Sequence, residues 1–160
     1  MKVLSFIISV IILALATTGV YRYLKQDWLL YRTAQDLSRK EAWAQTIPIY
    51  ENLVKRGFRT RDTLRLLAQS YEKEGNLAMA IAAIRELAVL NPGDGPTALQ
   101  LAGLYDRTGD HRDAADIYYA LLAREPANRA IEIRLARALA ASGRFDDAIL
   151  RYKAILGEKP

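Results

Sequence analysis

The sequence predicts an all-α protein: an α-solenoid of stacked antiparallel helix hairpins, three clear and one degenerate, placed after an N-terminal transmembrane helix. Three observations predict it. Residues 3–21 carry no charged side chain and are mostly Val, Ile, Leu, Phe and Ala. Shifting the chain on itself by 34 residues superimposes three successive segments, beginning at Leu64, Ala98 and Glu132, without a gap. Glycine and proline recur at fixed places within each segment, where helices have to stop.

The apolar run comes first. Its length is about the 20 residues a helix needs to cross the hydrocarbon core. Tyr21, Tyr23 and Trp28 follow it with Arg22 and Lys25 between them, the aromatic and basic girdle expected at headgroup depth. A cleaved secretory signal is the rival reading, since Lys2 gives a basic start and Ala14-Leu15-Ala16 has the small residues of a cleavage site. Cleavage near Ala16 would release a secreted soluble repeat protein. The run continues to Val20, beyond a typical signal core, which favours an anchor and a single-pass protein of the cell membrane. Arg22, Lys25, Arg32, Arg39 and Lys40 outweigh Lys2 and the α-amine, which favours cytoplasmic repeats. A short basic start running straight into an apolar segment is also how exported chains begin, and that topology puts the repeats outside.

The repeats carry the fold. Their aligned columns are Leu67, Leu101 and Leu135; Ala68, Ala102 and Ala136; Tyr71, Tyr105 and Leu139; and Gly75, Gly109 and Gly143. The second half of each unit adds Ala80, Ala114 and Ala148; Ile84, Tyr118 and Tyr152; Leu87, Leu121 and Ile155; and Pro92, Pro126 and Pro160. Small residues let two antiparallel helices approach, and the large ones fill the space around that contact. Glycine ends the first helix of each pair and proline the second. Thr60, Asp94 and Asn128, again 34 apart, are N-cap residues where the next helix should start, and Pro96 suits a first turn.

With these columns the chain resembles the tetratricopeptide repeat family, closely over residues 61–160. The resemblance implies two-helix units at 61–94, 95–128 and 129–160. A degenerate unit at 27–60 follows an anchor and interfacial segment at 1–26. In that unit Leu30, Ala34, Leu37, Tyr50 and Leu53 keep their columns, but Glu41 replaces the glycine, Thr46 the alanine and Phe58 the proline. Pro48 is expected near the start of its second helix, where a missing amide costs little.

Composition narrows the function. There is no cysteine, so no disulfide, thiolate metal site or cysteine nucleophile. His111 is the only histidine, and no glycine-rich phosphate loop occurs, so no catalytic, cofactor or metal site is expected. His111 is expected to pack or cap at the start of a second helix, and Asp110, Asp113 and Asp116 to form a solvated face. The net charge of +5 is uneven: residues 22–65 hold ten Lys or Arg against five Asp or Glu, whereas residues 66–160 hold twelve against thirteen. That distribution excludes an extended nucleic-acid stripe. It places the basic excess beside the apolar run, facing anionic headgroups if the stack stands on a bilayer.

Partner proteins are the remaining class. The family binds peptides or partner helices in a concave groove lined by the first helices of each pair. Helical stepping places Arg65, Gln69 and Glu72 there, then Leu99, Gly103 and Asp106, then Ile133, Arg137 and Ala140. Arg65, Gln69 and Arg134 stand near the positions of the family's carboxylate clamp, but its asparagines are missing. Ile149, Tyr152, Ile155 and Leu156 should form an uncovered apolar face on the last helix, a docking surface for a partner or for a second copy in a homo-oligomer. The expected function is a membrane-bound scaffold or adaptor that helps assemble a membrane or envelope complex. The alternative is a non-catalytic accessory subunit of a membrane enzyme or export complex.

Overall fold

The computed structural model describes residues 25–157, together with Ala14, Thr17 and Thr18. The chain divides into two compact units, Met1–Thr63 and Leu64–Pro160. Among the described residues no helix is long and apolar enough to cross a membrane. The sequence-predicted span at 3–21 lies outside the described residues except for Ala14, Thr17 and Thr18, which are helical and exposed.

The first unit holds a hairpin of α1, residues 25–39, and α2, Trp43–Lys55. Ala34, Tyr50, Leu53 and Thr46 are fully buried in it. Tyr31 meets Tyr50 edge-on at 6.3 Å and Phe58 at 5.9 Å, so the residue standing in the proline column supplies packing instead. Thr46, in the alanine column, satisfies its buried hydroxyl by donating to the Trp43 carbonyl at 2.8 Å. Asp27, 2% exposed, faces Arg56 with Oδ1 2.8 Å from Nε, tying α1 to the C-cap of α2.

Pro48 departs from expectation. The helix starts at Trp43, so Pro48 lies in its interior and deprives the Ala44 carbonyl of its helical amide. Both residues are exposed, so that carbonyl is open to solvent.

Glu41 shows what the missing glycine costs. Its φ is +57°, while Gly75, Gly109 and Gly143 at the equivalent turns have φ of +77°, +87° and +83°. Left-handed backbone strains any residue with a Cβ. Glu41→Gly is therefore expected to stabilise the first unit by about 0.5–1 kcal/mol, partly offset by the freer unfolded chain. Both tryptophans, Trp28 and Trp43, report on this unit, so a higher urea midpoint in their fluorescence checks it.

In and beyond the second unit run α3 (Arg61–Lys73), α4 (Leu77–Leu90), α5 (Gly95–Thr108), α6 (His111–Arg124), α7 (Arg129–Ala141) and α8 (Phe145–Leu156). From α4 onward each successive pair packs together, except that α8 has a neighbour only in α7 among these contacts and α6 bridges α5 and α7. The predicted caps form: the side chains of Thr60, Asp94 and Asn128 accept from the amides of Thr63, Thr97 and Ile131 at 3.1, 3.1 and 3.3 Å. Asn76 caps α4 in the same way. Ala68, Ala102, Ala136, Ala80 and Ala114 are fully buried, the close contacts that small residues permit. One core runs through Ala102, Ala114, Tyr118, Leu122, Leu135 and Leu139. The fold is an all-helical array of repeated hairpins.

Candidate functional site

Within the second unit, α5 and α7 present their outer faces to a groove of about 800 Å³. Pro96, Leu99, Gln100, Gly103 and Arg107 come from α5 at helical spacing, and Arg134, Arg137, Ala138 and Ala141 from α7. Glu72 from α3 and His111 from α6 border it. At Gly103 a methyl group would come to 3.9 Å from Arg134 Nη1, so the bare backbone leaves the groove floor open beneath that arginine.

The acidic groups of the groove already have donors. Glu72 is paired with Arg107 across α3 and α5. Asp106 accepts from the Tyr118 hydroxyl at 2.8 Å and lies 3.3 Å from His111 Nδ1. Arg134 and Arg137 stay exposed, so the surface offered to a visitor is cationic over an apolar floor of Leu99, Pro96 and Ala138.

Burial pushes the Tyr118 phenol up to about 12, helped by its hydrogen bond to Asp106 and opposed by Arg134. The neutral phenol is thus the form the fold prefers. Its contribution is complete below the unfolded phenol pKa of about 10 and is lost as pH rises towards about 12. Two pKa units correspond to about 2–3 kcal/mol. Urea unfolding across that interval is expected to show the native chain losing about 2 kcal/mol more than Tyr118→Phe; parallel losses would contradict the assignment.

Of the residues singled out from sequence, Glu72, Leu99, Gly103, Asp106, Arg134 and Arg137 line this groove. Arg65 and Gln69 line a smaller depression of about 320 Å³ with Glu72, Lys73 and Gln100. Ile133 lines neither. At about 100° per residue it sits a quarter turn round from Arg134, and the true α7 face is read one residue later, through Ala138 and Ala141 instead of Ala140. Pro96, Gln100 and Arg107 belong to the same helical stripe as Leu99 and Gly103, a spacing legible in the sequence. No group of three or more His, Asp or Glu among the described residues is placed to hold a metal ion.

On α8, Ile149, Tyr152 and Leu156 are 52%, 38% and 70% exposed, with Phe145 and Leu150 beside them. Ile155 is partly buried, and its carbonyl accepts from Arg129 Nη2 at 3.0 Å. Tyr152 shares a column with Ile84 and Tyr118, which are both fully buried, whereas Tyr152 is 38% exposed. Of the headgroup girdle, Tyr21, Arg22 and Tyr23 lie outside the described residues; Lys25 and Trp28 are exposed on α1.

Residues 107–160 match the Tetratricopeptide repeat family. No curated protein matches the chain significantly. Among solved structures the chain is similar to MamA, at 18% identity and a TM-score of 0.68 over 82% of this chain and 77% of that one. It is also similar to MamA from residue 41 onward of Desulfovibrio magneticus RS-1, at 12% identity and a TM-score of 0.66 over 81% and 75%. A Podosopora anserina structure with nearly identical TPR-like repeats aligns at 17% identity and a TM-score of 0.60 over 80% and 72%. At these identities the likeness is one of fold, and with the family match it supports a tetratricopeptide-type repeat chain.

Proposed function

We propose that this chain is a membrane-tethered, non-catalytic scaffold that holds a segment of a partner protein in the groove between α5 and α7. The observation that carries the reading is the groove itself: open, about 800 Å³, apolar along its floor, with Arg134 and Arg137 on its wall. Glu72 and Asp106 are engaged internally, so these two arginines select a partner segment with an apolar side chain beside an acidic group. Tetratricopeptide repeats bind proteins, and the family match supports the same use here.

The tether is the apolar run of residues 3–21, and the excess of Arg22, Lys25, Arg32, Arg39 and Lys40 after it supports repeats on the cytoplasmic side. The apolar face of α8 is a second protein-contact surface. The scaffold would serve assembly of a membrane or envelope complex.

Gentle detergent extraction of the full chain, with and without Arg134→Glu and Arg137→Glu, tests the groove. Reversing both charges is expected to lower recovery of the partner about tenfold, equivalent to about 1.4 kcal/mol. Identical co-purifying proteins in both preparations would sink the proposal. A single partner at fixed stoichiometry would mark the accessory-subunit form of this role, several substoichiometric ones the adaptor form.

A further inference from the structure

We infer that the outer face of α1 is a lipid-binding surface that lies on an anionic bilayer. The inference rests on the reading that the chain sits at a membrane, and it adds a site that the apolar run does not contain. Lys25, Trp28, Leu29, Arg32, Asp36 and Arg39 are all exposed. Their spacing confines them to an arc of about 100° on the helix. The opposite side of α1 carries the buried Asp27 and Ala34, so this face is free of the hairpin's own core.

The composition of the stripe fits one occupant. Trp28 and Leu29, adjacent on the helix, are 53% and 59% exposed, an apolar pair with no cover among the described residues. The Arg32 guanidinium lies 5.6 Å from the centre of the Trp28 ring, which holds the indole flat against a cation. Asp36 is neutralised by Arg39 at 3.3 Å, so the face shows cations and an indole and no free anion. Indole and basic side chains together are the composition of a headgroup layer contact, with the ring at the acyl boundary and the cations on lipid phosphates. The stripe begins within a few residues of the apolar run that ends at Tyr21, so an anchored chain delivers it to the membrane surface. A protein partner would need an acidic rim around an apolar slot at that same depth; the bilayer supplies both without further structure.

The test uses the full chain carrying Trp43→Phe, which leaves Trp28 as its one tryptophan. It is reconstituted into vesicles of phosphatidylcholine alone or mixed with phosphatidylglycerol, each brominated on the acyl chain near the headgroup. Trp28 fluorescence is expected to be quenched in the mixed vesicles at low salt. About 0.5 M salt, where the screening length falls to roughly 4 Å, should remove about half or more of that quenching. The variant Lys25→Glu with Arg32→Glu should lose a similar share at unchanged circular dichroism, and the salt titration stands alone if that variant fails to fold. Unquenched Trp28 in mixed vesicles, or equal quenching in both lipids at both salts, overturns the inference. Retention through an alkaline wash reads the apolar run separately. A chain washed away after showing salt-sensitive quenching would remove the anchor and keep the α1 surface.

Discussion

Leu135→Ala is expected to lower the stability of the second unit by about 3 kcal/mol, within the range measured for leucine truncations in a packed core. Leu135 is fully buried and belongs to the cluster that includes Ala102, Ala114, Tyr118 and Leu139. The cluster's alanines carry Cβ atoms fixed to backbone that cannot move in to fill the space, so most of the cavity should persist. Leu150, 54% exposed on α8, provides the control: its alanine variant should cost less than about 1 kcal/mol. Urea unfolding followed by helical ellipticity measures both. Equal losses would mean that burial in the hairpin stack does not govern stability.

Asp27→Ala is the second large effect, about 3 kcal/mol, and it acts in the other unit. The Asp27 side chain is 3% exposed and that of Arg56 22%, at 2.8 Å. Removing the carboxylate takes the counter-charge from a mostly buried guanidinium, and that lost compensation dominates the loss. Replacing both partners, with Asp27→Leu and Arg56→Leu, removes the buried positive charge as well and should restore more than half of the stability. Tryptophan fluorescence reads the result directly, since Trp28 and Trp43 both lie in this unit. A double variant as unstable as the single one would show that the ion pair adds net stability beyond what apolar packing supplies.

The repeat was legible because its constraints fall on residue types. A left-handed turn selects glycine, as at Gly109 with φ of +87°, and a close helix contact selects alanine, as at Ala68, Ala102 and Ala136. Caps select Thr, Asp or Asn, and all three predicted ones formed. Columns that accept several types were invisible to the same comparison. Ser70, Leu104 and Ala138 are 0%, 2% and 1% exposed at 34-residue spacing yet share no chemistry. Ser70 is tolerated there because its hydroxyl donates to the Leu66 carbonyl at 2.8 Å.

The groove was legible in part for a related reason. Helical spacing gives the stripe but leaves its phase to the packing of the opposite face. On α5 the stripe through Leu99 and Gly103 was found, whereas on α7 the step from Ile133 was one residue early. The pairing of Asp27 with Arg56 was out of reach. In sequence they are two entries in a charge count, separated by a whole hairpin, and only the fold brings them to 2.8 Å.

The central claim is that the α5–α7 groove holds a partner segment. Site-specific photocrosslinking in intact membranes tests it most directly, with a photoreactive phenylalanine derivative at the position of Gln100 in the groove or of Arg85 on the exposed side of α4. The account predicts a discrete protein adduct from position 100, about tenfold more abundant than any from position 85, in line with the expected loss on reversing the groove charges. Adducts of equal yield from both positions, or none from either, would contradict it.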